Sequence, residues 1–163
     1  MSDITTTTVV EPSTINFESL NGVKDRVVII TGAAQGIGRV FAHAFAANGA
    51  ISVVADLDAV KAEAVANEIR ALGRRAMSVA ADIGSFDSLQ SMAEAVFNEY
   101  GRIDVLINNA GIFSTLEMRP FWEIPLSEWD KVMHVNITGV MLACRAVVPY
   151  MRKAKWGRII NMS

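Results

Sequence analysis

Cysteine is almost absent from this sequence of 163 residues, which contains only Cys144. A single cysteine cannot form an internal disulfide, and no histidine stands at a spacing from Cys144 that would suit a shared metal ion. Cys144 also falls within a helical pattern of apolar residues. We therefore expect a buried structural thiol and no metal site.

Neither sign of charge is in excess. Lysine and arginine together number 15 and aspartate and glutamate 17, which gives a formal net charge of -2. Proteins that bind a phosphate backbone carry a surplus of basic residues, because the phosphates attract them and their counterions are released on binding. The charge balance therefore argues against a nucleic-acid partner.

Long hydrophobic runs and basic leader sequences are lacking too. The most apolar stretch, residues 135–148, is interrupted by Asn136 and Arg145. It is shorter than the roughly 20 residues that cross a bilayer as a helix. No lysine or arginine precedes Lys24, whereas signal and transit peptides carry basic residues. These features predict no membrane span, no targeting peptide and a cytoplasmic location.

The composition is that of a globular protein, with 52% apolar and 20% charged residues. The length is sufficient for one compact domain with a hydrophobic core. Residues 1–22 contain a run of threonines and no apolar period, so we expect a mobile tail there. The domain itself is predicted to span residues 23–163.

From residue 26 onwards, short apolar runs alternate with segments of helical period. Strands are predicted at 27–30, 51–55, 76–81, 103–108 and 158–162. Helices are predicted between them, including a long last helix from Glu128 to about Lys153, with Ser127 as its N-cap. This alternation predicts an α/β fold, a doubly wound parallel sheet with right-handed crossovers and helices on both faces.

The helical periods also predict which side chains face the sheet. In the first helix the apolar stripe includes Ile37, Val40 and Phe41. The second helix is expected to bury a stripe that ends at Leu72, just before Gly73. The third is expected to bury Leu89, Met92, Ala93 and Val96.

Residues 31–38, with the sequence Thr-Gly-Ala-Ala-Gln-Gly-Ile-Gly, join the first strand to the first helix. Gly32 permits a tight turn, Gly36 lets the backbone approach a pyrophosphate, and Gly38 lets the helix pack close to the strand. A glycine cluster alone would also suit a purely structural turn. Its place between a strand and a helix favours phosphate binding.

Asp56 stands at the carboxyl end of the second strand. A carboxylate there can accept hydrogen bonds from both hydroxyls of an adenosine ribose and would repel a 2′-phosphate, which predicts NAD rather than NADP. The alternatives are a solvated loop acid or a helix cap, and Asp58 is also available for capping. Arg39 would favour a phosphate, although a role on the helix surface suits it equally well.

Four blocks of this sequence resemble the short-chain dehydrogenase/reductase family. They are residues 31–38, then Asn-Asn-Ala-Gly at 108–111, Val-Asn-Ile-Thr-Gly at 135–139, and Gly-Arg-Ile-Ile-Asn-Met-Ser at 157–163. The blocks occur in the family's order, and the resemblance runs from about Leu20 to the last residue. It implies an oxidoreductase that transfers a hydride between NAD(H) and an alcohol or ketone substrate.

The resemblance also implies roles for individual residues. Asp82 would accept a hydrogen bond from the adenine amino group. The alternative for Asp82 is an N-cap of the next helix, although Ser85 suits that position better. Asn136 would serve the proton relay of the catalytic site, although by itself a mid-helix asparagine is more often satisfied by neighbouring backbone. The full set of implied NAD-binding residues is Thr31, Gly32, Gln35, Gly36, Ile37, Gly38, Asp56, Asp82, Ile83, Asn109, Ala110 and Gly111.

The family's chemistry uses a tyrosine as general acid/base, a lysine that lowers the tyrosine pKa, and a serine that holds the substrate oxygen. The serine would follow Ser163, and the Tyr-x-x-x-Lys pair would lie further on. Tyr150 is followed by Lys153 and Lys155, which miss that spacing. We therefore expect a chain truncated before its catalytic residues and inactive alone.

His43 and His134 are expected on helix surfaces or in packing. The family resemblance places the loop 112–126 near the mouth of the active site. Its aromatic residues Phe113, Phe121 and Trp122 suggest an apolar wall there but would equally suit packing. The full-length protein is expected to be a homo-dimer or homo-tetramer. A non-catalytic NAD-binding or subunit-interaction half-domain is the alternative function. The joint presence of the Asn-Asn-Ala-Gly and Val-Asn blocks disfavours an S-adenosylmethionine site.

Overall fold

The computed structural model describes residues 22–113 and 115–162. Most of the predicted mobile tail, residues 1–21, lies outside this range, as does Ser163. The predicted strands are confirmed to within two residues at each end. They are β1 (Val27–Thr31), β2 (Ile51–Asp56), β3 (Arg75–Ala80), β4 (Val105–Asn108) and β5 (Arg158–Asn161).

The five strands form one parallel sheet in the order β3-β2-β1-β4-β5. Side chains of β1 alternate between two cores, with Val28 and Ile30 on one face and Val27 and Ile29 on the other. Helices cover both faces, which confirms the doubly wound architecture. Helices α1 (Gly36–Ala47) and α2 (Ala59–Ala71) lie on the first face, and α3 (Phe86–Tyr100) lies on the second.

A long helix completes the second face. Helix α4 (Leu126–Met133), a π-helical turn (His134–Thr138) and α5 (Gly139–Ala154) run on without a break. Ala143, Val147 and Met151 pack into the core beneath α5. A short 3-10 helix (Phe121–Glu123) precedes α4 in the loop from β4.

The length of this helix corrects the expectation that no segment is long enough to cross a membrane. Residues 126–154 form a helix of 29 residues with a mean hydropathy of 1.4 in its most apolar window, so by length and composition it could cross a membrane. The interrupted stretch 135–148 had suggested that no segment was long enough. A helix that packs into the core of a globular domain passes the same test, and α5 does so along one side.

The apolar stripe expected on the first helix was wrong in part. Ile37 and Val40 of α1 are 63% and 60% exposed. The face of α1 that is buried carries Gly38, Ala42 and Ala46 instead. Small residues let the helix axis approach the sheet closely. Phe41, the third residue of the expected stripe, is partly buried and packs against the same core.

Two expectations at helix ends were also wrong. Leu72 is 68% exposed, because α2 ends at Ala71 and Leu72 is the C-cap that follows the buried stripe. Ser127 does not cap the long helix, because α4 begins at Leu126 after Pro125. Proline has no side-chain acceptor, so the helix begins without a side-chain cap, and the Pro125 carbonyl accepts the amides of Glu128 and Trp129, each at 3.0 Å.

Cys144 and Asp104 show how polar groups are accommodated beside the sheet. The Cys144 thiol is half-buried rather than buried and accepts a hydrogen bond from the Asn108 side chain, with 3.5 Å between Nδ2 and Sγ. Asp104, 3% exposed, binds Arg26, Arg102 and the Val27 amide at the amino ends of β1 and β4. Burial alone would raise the pKa of Asp104, but hydrogen bonds from Arg102 and the Val27 amide outweigh it and hold the pKa below its ordinary value.

Candidate functional site

The carboxyl ends of β1 and β4 meet at the point where the strand order reverses. The chain moves outward from β1 to β3 and then returns to the other side of β1 as β4. Open parallel sheets bind ligands at such a switch point, because the loops after the two strands diverge and leave a crevice. The predicted site residues at 31–38 and 109–111 follow these two strands.

Hydrogen bonds join the two loops directly. The Thr31 hydroxyl accepts the amides of Asn109 and Ala110, each at 3.1 Å, and donates to the Ile107 carbonyl at 3.3 Å. The Asn109 amide nitrogen Nδ2 donates back to the carbonyls of Thr31 and Gly32, at 3.0 and 3.2 Å. Thr31 is 2% exposed, so its side chain braces the two strands from within.

Glycine is required in this loop for two different reasons. A Cβ on Gly38 would lie 2.3 Å from the carbonyl oxygen of Gly32 and 2.6 Å from Nδ2 of Asn109. Gly32 has a φ of +65°, and a Cβ there would lie 2.8 Å from the Cα of Ala110. These glycines therefore allow the loop after β1 to pack against α1 and against the loop after β4.

Gly36 differs from both, because a Cβ there would meet no atom within 4 Å although its φ is +54°. It opens α1, and the N-cap residue Gln35 makes no side-chain hydrogen bond to the helix. The first-turn amides of α1 therefore have no side-chain cap. An open backbone surface at an uncapped helix N-terminus suits an anion such as a pyrophosphate. Gln35 and Ile37 flank this surface with exposed side chains.

Asp56 ends β2 beside this loop and shapes it. Its Oδ2 accepts the Ala34 amide and its Oδ1 accepts the Asp58 amide, both at 3.0 Å. An ionised carboxylate offers about four acceptor positions, so about two remain for the hydroxyls of a ribose. Capping of α2 falls to Asp58, which accepts the Lys61 amide at 3.0 Å.

The loop after β3 brings Asp82 and Ile83 to the same edge of the sheet. Asp82 is exposed, and its Oδ1 accepts the Gly84 amide at 2.8 Å. Ser85 caps α3 by accepting the Ser88 amide, which confirms the assignment of the cap to Ser85. The carboxylate of Asp82 thus orders its own loop and leaves acceptor positions for a base.

The long helix docks onto this loop through two residues whose contacts the sequence did not reveal. A Cβ on Gly139 would lie 3.0 Å from the Ile83 carbonyl oxygen, so only glycine permits this approach without displacement. Nε2 of His134 lies 3.0 Å from the Gly84 carbonyl oxygen. The Val-Asn-Ile-Thr-Gly block had indicated a family likeness here, but only the fold shows that it holds the loop after β3.

Asn136 lies in the π-helical turn and holds the loop after β4. Its Nδ2 donates to the Ile112 carbonyl at 3.0 Å, and its Oδ1 accepts the Ile112 amide at 2.7 Å. A Cβ on Gly111 would come within 3.2 Å of this Oδ1. A π turn widens the helix by one residue and is frequent at functional sites. Here it turns a mid-helix asparagine toward the loop of residues 109–112.

Neither Tyr100 nor Tyr150 forms a catalytic pair with a lysine. Tyr150 packs on Phe97 with ring centroids 4.7 Å apart, and Nζ of Lys153 lies 5.8 Å from the centroid of that same Phe97 ring. Burial and then the charge of Glu99 raise the pKa of Tyr100, whereas a general base needs a lowered one. Within residues 22–113 and 115–162, no group of three or more His, Cys, Asp or Glu could hold a metal ion.

A nicotinamide dinucleotide fits the residues that are present. The backbone at Gly36 is open where a pyrophosphate would lie, and Asp56 keeps free acceptor positions at the end of β2. Polar groups for an adenine and a second ribose follow β3 and β4 at the same edge. Gly32, Gly38 and Thr31 hold the loop after β1 in its conformation and do not form its open surface.

Comparisons with known proteins agree with this fold and site. The chain is 38% identical over 142 residues to (2S)-[(R)-hydroxy(phenyl)methyl]succinyl-CoA dehydrogenase subunit BbsD of Thauera aromatica, covering 87% of this chain and 56% of that protein. It is 38% identical over 138 residues to the D-threitol dehydrogenase of Mycolicibacterium smegmatis, covering 85% and 52%. The chain therefore spans about half the length of these curated relatives.

A solved structure is similar over the same region. A metagenomic short-chain oxidoreductase in complex with NADP superposes with a TM-score of 0.78 at 38% identity, covering 86% of this chain and 63% of that chain. The sequence model of the family described as short chain dehydrogenase matches residues 26–163. With four motif blocks, a matching fold and the family model in agreement, the chain belongs to the short-chain dehydrogenases, a family of oxidoreductases.

Proposed function

We propose that the chain binds NAD and forms the cofactor-holding part of an enzyme that moves a hydride between NAD(H) and an alcohol or ketone. One observation carries this proposal. The open backbone at Gly36 and the Asp56 carboxylate belong to a single hydrogen-bonded unit, joined through the Ala34 amide. A pyrophosphate on the loop would therefore bring its adenosine ribose to Asp56.

The remaining predicted residues extend this site. Asp82 would accept the adenine amino group, and Ile83 would contact the adenine through its backbone. Asn109, Ala110 and Gly111 would line the second ribose while bracing β1 and β4. Thr31, Gly32 and Gly38 would preserve the loop shape, and Gln35, Gly36 and Ile37 would face the phosphates.

The preference for NAD over NADP rests on charge. A 2′-phosphate would bring about two further negative charges beside Asp56. The solved relative that is similar at 38% identity carries NADP, so this preference is a property of individual residues rather than of the fold. Asp56 at the end of β2 favours two free ribose hydroxyls in this chain.

Bound nicotinamide supplies the hydride acceptor or donor of the reaction. The part that this chain contributes to catalysis is Asn136, which we propose supports the proton relay. It already fixes the loop after β4 through both polar groups of Ile112. No Tyr-x-x-x-Lys pair occurs within the 163 residues, so we expect this chain alone not to turn over an alcohol. A non-catalytic NAD-binding half-domain remains the second candidate on the same observation.

A surface stripe supports self-association of the whole protein. Trp129, Met133, Ile137 and Met141 recur every fourth residue along α4, the π-helical turn and α5, and they are between 37% and 59% exposed. Residues at that spacing lie on one side of a helix and form a continuous apolar ridge. We propose that this ridge contributes to a homo-dimer or homo-tetramer, and that the protein acts on small molecules in the cytoplasm.

NADH fluorescence tests the proposed binding. Titrating the protein into NADH should give a saturable change, and ADP-ribose should reverse it at far lower concentration than nicotinamide mononucleotide. That order is expected because loop 31–38, Asp56 and Asp82 would all contact the adenosine diphosphate half. Absence of a saturable signal, or stronger competition by nicotinamide mononucleotide, would refute the assignment.

The lack of turnover has a separate test. The 163-residue chain should produce no NADH from a panel of alcohols and NAD, although it binds NADH. Measurable production would show that residues within this chain perform the proton transfer and would contradict the role assigned to a Tyr-Lys pair.

A further inference from the structure

The turn from β2 into α2 contains an ion pair that no motif explains. Asp58 uses both of its carboxylate oxygens on Lys61. Its Oδ1 accepts the Lys61 amide at 3.0 Å, and its Oδ2 lies 2.9 Å from the Lys61 ammonium Nζ. The Asp58 amide in turn donates to Asp56 at 3.0 Å. Asp56, Asp58 and Lys61 therefore form one connected chain of polar contacts at the end of β2.

Lys61 lies within the electrostatic field of both carboxylates. The side-chain hydrogen bond to Asp58 raises the pKa of Lys61, the charge of Asp58 raises it further, and the more distant charge of Asp56 adds to the effect. The ammonium is linked through Asp58 to the carboxylate that would hold the adenosine ribose, because Asp58 binds Nζ of Lys61 with its side chain and Asp56 with its amide. It is tied to Asp58, however, rather than directed toward that ribose.

Two features of this turn would otherwise attract a 2′-phosphate. One is the Lys61 ammonium, and the other is the set of amides at the N-terminus of α2, where the helix dipole favours an anion. Asp58 binds the ammonium and one of these amides, that of Lys61, at the same time. A phosphate at the ribose 2′ position would have to compete with a carboxylate already bound to the lysine and the helix.

We propose that Asp58 is a second determinant of dinucleotide selectivity, acting through Lys61 to withhold positive charge from a 2′-phosphate. This inference rests on the proposed function, since it assumes that the adenosine ribose lies at Asp56. Asp58 is a positioning residue, because it does not contact the cofactor itself. Selection of NAD over NADP then depends on the Asp56 carboxylate together with the Asp58–Lys61 pair.

Arg39 does not take over the role of Lys61. Its Nε and Nη2 bind Oε2 of Glu68, at 2.8 and 2.7 Å, and His43 approaches the same oxygen at 2.9 Å. Arg39 is thus directed toward the middle of α2 rather than its N-terminus. The structure favours the surface role of Arg39 over the phosphate-binding alternative.

Asp58→Asn separates charge from helix capping. Asparagine caps helices about as well as aspartate, so the amide of Lys61 keeps its acceptor while the ammonium loses its partner. In this variant the dissociation constant for NADP should fall about three- to tenfold, the size expected for an exposed ion pair supported by a helix N-terminus. The dissociation constant for NAD should change by less than about twofold, because no charge is gained or lost on its ribose.

A second substitution, at Lys61, tests whether the lysine ammonium causes the change in NADP affinity. Adding Lys61→Gln to Asp58→Asn should remove the gain in NADP affinity, since the freed ammonium is its source. Glu63→Gln is the matched control, because Glu63 pairs with Arg70 on the same helix and its neutralisation changes the net charge equally. It should leave the ratio of NADP to NAD affinity unchanged.

Calorimetric titration of NAD and NADP into these three variants and the unsubstituted chain decides between the outcomes. A Lys61-dependent rise in NADP affinity supports the proposal. An unchanged ratio in Asp58→Asn, or an equal rise in Glu63→Gln, overturns it and leaves the proposed function standing. If neither dinucleotide binds any of the proteins, the proposed function fails and this inference fails with it.

Discussion

Replacing Gly36 by alanine would separate the loop's role in binding from its role in folding. Gly36 has a φ of +54°, and a Cβ there would meet no atom within 4 Å. Gly73, which follows α2, has a φ of +69° and is equally open. Alanine in the left-handed region costs about 1 kcal/mol relative to glycine. Both variants should therefore lose about 1 kcal/mol of the free energy of unfolding.

Binding should distinguish the two variants sharply. Phosphate oxygens that accept backbone amides lie about 2.9 Å from the nitrogen atoms, which leaves no room for a methyl group between them. In Gly36→Ala the affinity for NAD should fall at least about tenfold, which corresponds to about 1.4 kcal/mol. In Gly73→Ala the affinity should remain that of the unsubstituted chain, because this residue lies at the far end of α2.

Urea denaturation and NADH fluorescence titration of both variants provide the assay. We expect the two variants to lose equal stability and only Gly36→Ala to lose affinity. A Gly36→Ala protein that is destabilised like Gly73→Ala and yet binds NADH as tightly as the unsubstituted chain would refute the approach of a pyrophosphate to this backbone.

Three further predictions concern the stability of the site and the sheet. Gly38→Ala should cost about 3 kcal/mol or more by thermal unfolding, because the new Cβ would lie 2.3 Å from the Gly32 carbonyl oxygen and backbone cannot yield cheaply. Asp104→Asn should cost about 2–4 kcal/mol at pH 7 by urea denaturation, because buried charge-assisted hydrogen bonds are lost. Since the pKa of Asp104 is lowered in the folded state, its contribution is complete above the unfolded pKa of about 4 and is lost as the pH falls through the folded pKa. Asn136→Ala should speed hydrogen exchange of the Ile112 amide, as measured by mass spectrometry, because that amide loses its acceptor.

Each of these predictions has an outcome that would contradict it. A Gly38→Ala protein as stable as Gly36→Ala would mean that the close packing of α1 on the loop is not required. Asp130→Asn, which neutralises an exposed carboxylate on α4, is the control for Asp104→Asn. If both aspartate variants lose equal stability, or the loss does not shrink in acid, the buried ion cluster is not responsible. Unchanged exchange at Ile112 would mean that Asn136 does not hold the loop.

The strands could be predicted from the sequence because central strands buried on both faces appear as short, continuous apolar runs. Val27 to Thr31 are buried on both faces, and a short run of β-branched residues bounded by glycine has few other uses. The glycine pattern of 31–38 is similarly local, since the strand, turn and helix that give it meaning are adjacent in the chain. Local signals of this kind place the site on the correct edge of the sheet.

The buried face of α1 could not be predicted in the same way. Hydrophobic periodicity predicts that Ile37 and Val40 are buried, whereas the residues that α1 buries are Gly38, Ala42 and Ala46. Small residues contribute little to an apolar pattern, and their importance becomes visible only when a helix lies close to a sheet. The position of a helix relative to its neighbours therefore decides the face.

Hydrogen bonds between residues far apart in the chain also could not be predicted from the sequence. Thr31 and Asn109 are 78 residues apart, and Asn136 and Ile112 are 24 apart, so no spacing rule relates them. The π-helical turn that positions Asn136 has no known signature in single residues. The resemblance to a family supplied candidate roles for these residues, and the fold supplied the hydrogen bonds through which they can act.

Calorimetric titration of NAD and NADP into the unsubstituted protein measures both cofactor binding and the discrimination against a 2′-phosphate, which are the two properties proposed for this chain. We expect one NAD bound per chain and an affinity for NADP at least about tenfold weaker, equivalent to about 1.4 kcal/mol of repulsion and lost hydrogen bonding. Binding of NADP as tightly as NAD, or no heat with either dinucleotide, would contradict it.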